Sequence, residues 1–96
     1  MAYTEESSIL KIKTHIKKRG GGYNSWFVGI GKHARKELSH HGVKRKGNCW
    51  ILVRANSDSI AENVRSHLAE SFGLVTQEGQ HGDFVYAYKL AANTKP

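Results

Sequence analysis

The segment "WFVGIGKHARKELSHH", residues 26 to 41, holds the residue types best suited to chemistry in this sequence. Its cations Lys32, Arg35 and Lys36 suit contact with phosphate groups, because basic side chains neutralise phosphate charge. One acid, Glu37, lies among them. The repulsion between a carboxylate and a phosphate 4 Å away is about 1 kcal/mol in water and about 4 kcal/mol at an effective dielectric constant near 20. Glu37 therefore opposes phosphate binding at its own position and requires an explanation.

The spacing within this segment follows a known pattern. An aromatic, an aliphatic and a glycine residue occupy 27–29, Glu37 lies eight residues after that glycine, and His41 lies four residues later. Further on, "AENVRSHL" places Arg65 in an alanine, valine and leucine setting. The arrangement resembles the GIY-YIG nuclease superfamily, and more closely a group of small uncharacterised domains of the same ancestry. The resemblance covers roughly residues 24 to 72, and the later "VYAYK" matches the small-domain group as well.

The resemblance implies a nuclease-like fold whose catalytic positions are substituted. The family uses a strand tyrosine, a helix arginine and a helix glutamate to deliver the nucleophile, stabilise the phosphorane and hold a divalent ion. The matching positions here are Phe27, Glu37 and Arg65, and arginine cannot ligate a hard cation such as Mg²⁺. We therefore expect a domain with no catalytic residues that binds nucleic acid without cleaving it. The degenerate family positions are Phe27, Glu37, His41 and Arg65.

The exchanged charges of Glu37 and Arg65 suggest a structural hypothesis. If the fold keeps the two positions facing each other, they form an ion pair with the polarity of the family's catalytic charges reversed. In the alternative interpretation, the register is accidental and Glu37 is a solvated residue on an exposed helix face.

The formal charge of +7 at pH 7 is concentrated in the first half of the chain. Residues 1–54 hold twelve Lys and Arg against three acids, whereas residues 55–96 hold three against five. This asymmetry predicts one continuous basic patch and an anionic partner, with nucleic acid, either DNA or RNA, favoured over membrane. The predicted nucleic-acid-binding residues are Lys17, Lys18, Arg19, Lys32, Arg35, Lys36, Lys44, Arg45 and Lys46.

Other functions remain open at this point. The charge excess can serve solubility alone, or the chain can be a protein–protein interaction module, an adaptor or inhibitor, whose basic face binds an acidic partner. A third alternative is an active nuclease with an unconventional site. Trp26 and Tyr23 are candidates for base stacking, although aromatic residues on strands are more often core residues.

The sequence predicts no metal and no cofactor. The six histidines include the adjacent His40 and His41, which point in different directions, whereas zinc ligands usually lie at i, i+4 or beside cysteines. The single cysteine, Cys49, lies in the apolar run "CWILV" and is expected to be a buried thiol in a reducing compartment. The N-terminus lacks the features of a secretory signal, and no apolar run approaches about 20 residues. We expect an intracellular, cytoplasmic protein that does not contact a membrane.

Helical and strand patterns alternate along the chain, and the helices and strands that they predict must position the candidate site residues. The pattern predicts an α/β (α+β) fold: a small single layered domain, an about three-stranded sheet backed by three helices, in the order α-β-α-β-α-β. The second strand is too continuously apolar to be half-exposed. The predicted domain is residues 1–96, with a core of about 4–90 and a frayed tail at 91–96. The predicted helices are residues 4–19, 32–41 and 57–73, and the predicted strands are residues 25–30, 49–55 and 84–90.

Overall fold

The computed structural model of this chain describes residues 3–43, 49–77, 79–91 and 94. These residues form a mixed α+β fold of three helices and one four-stranded sheet. The elements are α1 (Glu5–Arg19), β1 (Trp26–Gly31), α2 (Ala34–His40), β2 (Trp50–Arg54), α3 (Asp58–Phe72), β3 (Val75–Thr76) and β4 (Phe84–Lys89), with a 3-10 turn at Tyr23–Ser25. The predicted alternation of helices and strands is confirmed, and β3 is an addition to it.

The sheet has the strand order β2-β4-β1-β3, so β4 and β1 are its central strands. β4 is antiparallel to both β1 and β2, whereas β3 runs parallel to β1. The two residues of β3, Val75 and Thr76, pair with Phe27 and Val28. A strand of this length carries no periodic signal. The sheet therefore has one strand more than the three that the sequence predicts.

Helices cover the sheet on both faces. Alternate residues of β1 enter two different cores, because side chains of a strand point to opposite faces in turn. α1 and α3 pack on the first face, which contributes Trp26, Val28 and Ile30 from β1. α2 packs on the second face through Leu38. β4 is divided between the two cores in the same way: Val85 and Ala87 belong to the first core, and Phe84, Tyr86 and Tyr88 to the second.

The ends of the two long helices have specific caps. The side-chain oxygens of Thr4 and Ser57 accept hydrogen bonds from the backbone N–H groups of Ser7, at 3.2 Å, and Ile60, at 3.1 Å. Such N-caps satisfy backbone donors that the first turn of a helix leaves unpaired. Gly73 follows α3 in the left-handed conformation, with φ of 78°. These signals are local in sequence, and all three helices lie within two residues of their predicted bounds.

The prediction of a fully buried second strand is wrong. β2 is an edge strand, and α2 packs over β4 and β1. Ile51 and Leu52 are consequently half-buried, and Cys49, just before the strand, is also half-buried although it was expected to be fully buried. A continuous apolar run therefore identified the strand correctly but not its place in the sheet.

The C-terminal residues are only partly described. Thr94 is buried, and its hydroxyl oxygen accepts a hydrogen bond from the Ala91 N–H at 2.8 Å. Residues 92, 93, 95 and 96 of the predicted frayed tail lie outside the described residues. Within the described ranges, no helix has the length and apolar character required to cross a bilayer.

His15 on α1 makes the stability of the first core sensitive to pH. Its ring meets Trp26 edge-on at 5.8 Å, and its buried Nε2 has no hydrogen-bond partner in the described part of the chain. Burial, and secondarily the charges of Arg19 and Lys18, lower the pKa of His15 below 6.5. The unfolded chain therefore binds this proton more readily than the folded one.

We expect the free energy of unfolding to fall as the pH drops through 6.5, the ordinary pKa of this group. The contribution of His15 is at most about 1.4 kcal/mol per pH unit, and it vanishes above that pKa because both states are then neutral. Urea denaturation at pH 7.5 and pH 5.0 measures it. The pH dependence should decrease in His15→Asn and persist in His40→Asn, whose residue is exposed. An equal pH dependence in the wild type and His15→Asn would contradict this assignment.

Candidate nucleic-acid interface

Three of the four positions that the resemblance singles out, Phe27, Glu37 and His41, come together on the α2 face of the sheet. Phe27 is buried, and its ring lies 5.0 Å from that of His41, which follows α2, and 5.2 Å from that of Tyr88. Glu37 lies one turn before His41 on the helix. The Phe27 side chain is thus a core aromatic residue.

Tyr86 belongs to the same group, although the sequence did not mark it as a site residue. It pairs with Gly29 across the sheet, and a methyl group at Gly29 would come within 2.5 Å of the Tyr86 ring. The phenol oxygen lies 3.2 Å from Nε2 of His41. Burial, and secondarily the neighbouring Glu37 carboxylate, raise the pKa of Tyr86. The signal that identifies Tyr86 is the cross-strand register, which requires the sheet topology.

Glu37 is half-buried beside the last residue of β1. A methyl group at Gly31 would come within 3.0 Å of Cγ of Glu37, so the side chain lies back against the strand. Among the described residues, the Glu37 carboxylate has no ion-pair partner within 4.0 Å. Glu37 is therefore not a fully solvated surface acid, and it forms no salt bridge with the residues that the structure describes.

The predicted ion pair between Glu37 and Arg65 is not present. Arg65 is buried on α3, where its Nε donates to Glu62 at 2.9 Å and its Nη1 donates to Thr76 at 3.2 Å. α3 packs on the first face of the sheet and α2 on the second, so the sheet separates the two positions. The exchanged charges of Glu37 and Arg65 in the sequence did not reveal this separation, because a sequence pattern does not show which face of the sheet each helix covers.

Glu62 is the actual partner of Arg65. The hydrogen bond from Arg65 lowers the pKa of the Glu62 carboxyl group. The Thr76 hydroxyl in turn donates to the Val28 carbonyl at 2.7 Å, which connects α3 to β3 and β1. Arg65 therefore has a structural role in holding the short strand β3.

The predicted basic patch divides into separate groups. Lys17, Lys18 and Arg19 end α1, which lies on the first face of the sheet, whereas Lys32, Arg35 and Lys36 precede or belong to α2 on the second face. Both groups are exposed. Residues 44–46, which include the remaining predicted contacts Lys44, Arg45 and Lys46, lie outside the described residues. The described cations of the predicted patch therefore belong to helices that cover opposite faces of the sheet.

Lys32, Arg35 and Lys36 are exposed cations at the start of α2 that line one cavity, and we call this group the α2 ridge. Among the described residues, the ion pairs are Arg54 with Asp83 and Arg65 with Glu62, so no carboxylate within 4.0 Å neutralises the ridge. Its three cations are available to an anionic ligand.

On the side of the ridge toward β2 lies an opening that we call the aromatic cleft. It consists of a cavity of about 410 Å³ bounded by Leu52 and Phe84 and one of about 190 Å³ bounded by Trp50. Arg35 lines both. The guanidinium carbon of Arg54 lies 5.7 Å from the centre of the Phe84 ring. This cleft exists because β2 is an edge strand that α2 leaves uncovered.

On the other side of α2 lies a cavity of about 500 Å³ that we call the polar cleft. Lys36 lines it as well as the aromatic cleft and so stands between the two. The walls of the polar cleft are Lys36, Glu37, His40, His41, Gln77 and Gln80.

The two residues predicted as candidates for base stacking differ in their exposure. Trp26 is completely buried, so its candidacy as a base-stacking residue is wrong; Tyr23 is half-buried beside Phe72. In the described part of the chain, no group of three or more His, Cys, Asp or Glu is arranged to hold a metal ion.

No model of a known protein family matches this chain, and no curated protein and no solved structure does either. The resemblance to the GIY-YIG superfamily therefore stays a prediction.

The role assigned to Arg65 predicts a specific pattern of energetic coupling. Arg65→Gln should lower the free energy of unfolding by about 1 to 3 kcal/mol, because it removes charged hydrogen bonds to Glu62 and Thr76. In double-mutant cycles followed by urea denaturation, Arg65→Gln should couple with Glu62→Gln. It should be additive with Glu37→Gln to within about 0.5 kcal/mol. Strong coupling between Arg65 and Glu37 would instead support the exchanged ion pair.

The contact between Gly29 and Tyr86 predicts a destabilising glycine substitution. Gly29→Ala should lower the free energy of unfolding by about 1 to 3 kcal/mol, because the added methyl group must displace the Tyr86 ring. Thermal denaturation measures the change. Gly22→Ala is the matched control. Gly22 is exposed and has a φ of −79° that alanine adopts readily, and the added methyl group would meet the exposed Asn24 side chain, which can turn away. Equal melting temperatures for the two variants would contradict the close approach.

Proposed function

We propose that this chain binds single-stranded nucleic acid along the α2 ridge, with bases placed in the clefts beside it. The observation that carries the proposal is the position, between an aromatic and a polar cleft, of three exposed cations that have no ion pair with any carboxylate of the described residues. Neither cleft alone would indicate nucleic acid. Together with the α2 ridge, the clefts allow the cations to contact the phosphates of one strand while its bases enter the clefts.

The α2 ridge supplies the electrostatic part of this binding. Each phosphate neutralised by Lys32, Arg35 or Lys36 releases condensed counterions, which makes the affinity fall as the salt concentration rises. The second basic group, Lys17 to Arg19, lies on the opposite face of the sheet and lines neither cleft. We therefore assign binding to the α2 ridge and not to the end of α1.

The aromatic cleft supplies the preference for a single strand. Stacking of a base on an aromatic side chain contributes about 1 to 3 kcal/mol and accepts any base. Trp50 and Phe84 are half-buried and line the cleft, next to Arg35 and Arg54. A duplex already stacks its bases on each other, so the faces that these side chains would contact are accessible only in unpaired nucleotides.

Binding without cleavage is part of the same proposal. Phe27 has no hydroxyl group, and Arg65 binds Glu62 on the other side of the sheet from Glu37. The residues that the family resemblance identifies as degenerate are then parts of the fold and of a binding surface.

The two basic groups provide a matched pair of variants. Replacing Lys32, Arg35 and Lys36 by alanine removes three charges from the α2 ridge, and replacing Lys17, Lys18 and Arg19 removes three from the opposite face. Fluorescence anisotropy with labelled single-stranded and duplex DNA and RNA, over a salt series with Mg²⁺ present, measures binding. The ridge variant should reduce the dependence of log affinity on log salt by about 2, since each single-strand contact contributes about 0.7. The α1 variant should retain the wild-type dependence.

Several results would contradict the proposal. Equal losses in the two variants would show that only net charge matters. Preference for duplex over single strand would exclude the role of the aromatic cleft, and cleavage of the probes would indicate an active nuclease. Absence of binding to any probe would favour an acidic protein as the partner.

A further inference from the structure

The polar cleft contains a feature that phosphate binding does not explain. The Glu37 carboxylate lies half-buried in its wall, next to Lys36 of the α2 ridge. A carboxylate accepts hydrogen bonds and donates none, and it repels phosphate. The group that contacts Glu37 must therefore present N–H or O–H donors.

In a nucleic acid, the nitrogen donors belong to the bases. Guanine presents two of them side by side on its Watson–Crick edge, N1–H and the N2 amino group, which match the two oxygens of one carboxylate. Adenine and cytosine present one amino group beside an acceptor nitrogen, and uracil presents one N–H between two carbonyl oxygens. Glu37 alone thus complements guanine better than any other common base.

The rest of the cleft complements the third group on that edge. The O6 atom of guanine, adjacent to N1, is an acceptor and requires a donor. Lys36, Gln77 and Gln80 line the same cleft and carry N–H groups. The cavity of about 500 Å³ lies within the range of about 300 to 1,000 Å³ that is usual for small-ligand sites.

Packing against the sheet also restricts the Glu37 side chain before any ligand binds. Its Cγ lies against Gly31, and the neighbouring His41 and Tyr86 are joined at 3.2 Å and packed beside Phe27. A side chain that is already ordered loses less conformational entropy on binding. The Glu37 carboxylate is therefore better suited to accept hydrogen bonds from one kind of base than to be a freely hydrated surface group.

We propose that the polar cleft binds a guanine base of a single-stranded nucleic acid, with the Glu37 carboxylate accepting from N1–H and N2–H. This inference rests on the proposed function, since the α2 ridge must first hold the strand. In this proposal the α2 ridge and the aromatic cleft supply the affinity for the strand, and the polar cleft supplies the preference for guanine.

The test uses uridine decamers that carry one central guanosine, inosine or adenosine. A single guanosine avoids the association of guanine-rich strands, and inosine lacks only the N2 amino group. Wild-type protein should bind the guanosine probe about tenfold more tightly than the adenosine probe, which is the usual scale for a bidentate base contact. The inosine probe should lie between them.

Two variants identify the group responsible. Glu37→Gln should reduce the preference for guanosine over adenosine to less than about twofold, without weakening binding of the adenosine probe, because it removes a charge that repels phosphate. Glu70→Gln makes the same charge change at an exposed position of α3, on the other face, and should retain the preference.

The outcomes separate this inference from the proposed function. If all probes bind equally, or if Glu37→Gln keeps the wild-type preference, the guanine assignment is overturned and single-strand binding stands. If no probe binds, the proposed function itself is overturned. The comparison of guanosine, inosine and adenosine probes on wild-type protein tests the assignment even if Glu37→Gln does not fold, because equal affinities for the three would overturn it.

Discussion

The α2 face depends on the absence of side chains at two positions of a central strand. β1 presents Phe27, Gly29 and Gly31 to this face. The missing side chains at the two glycines let the Tyr86 ring lie over the first and Glu37 lie against the second. The strand is fully buried despite its small residues, because neighbouring elements fill the space. Larger residues at these positions would move both groups away from the sheet and alter the polar cleft.

The clefts follow from how little of the sheet α2 covers. This helix has seven residues and packs on the two central strands, whereas α1 and α3, with fifteen residues each, cover the opposite face. The second face is therefore left open on both sides of α2, at the edge strand β2 and near the connection from β3 to β4. A longer helix would bury the same apolar residues but would leave no space for a ligand beside the basic side chains.

Much of the fold was predictable from short-range signals. Capping residues at Thr4 and Ser57, the glycine after α3 and the alternation along β4 act over a few residues, so the sequence shows them directly. The strand β3 could not be predicted, because its two residues are held by long-range contacts: pairing with β1 and the bonds from Arg65 through Thr76. The edge position of β2 likewise depends on strand order, which the apolar run alone does not determine.

The site was less predictable than the fold, because it too depends on long-range contacts that a local sequence pattern does not show. The spacing that groups Phe27, Glu37 and His41 operates along one strand and its following helix, and these residues do meet. Arg65 comes from a helix on the other face, so sequence spacing gave no measure of its distance from Glu37. Tyr86 enters through cross-strand pairing, and Trp50 through the exposure of an edge strand; neither property can be read from neighbouring residues.

The position of Glu37 has an electrostatic consequence for any ligand of this face. A carboxylate beside the α2 ridge reduces the attraction of that surface for phosphate, so its presence weakens nonspecific binding. A ligand that donates hydrogen bonds to Glu37 offsets this loss, whereas a ligand without such donors does not. The same side chain thus acts against incorrect ligands and in favour of the correct one, which is how a site gains specificity from repulsion as well as from attraction. Lys36 lines both clefts and directly precedes Glu37 on α2, so in the proposed function affinity and selectivity depend on adjacent residues of one short helix.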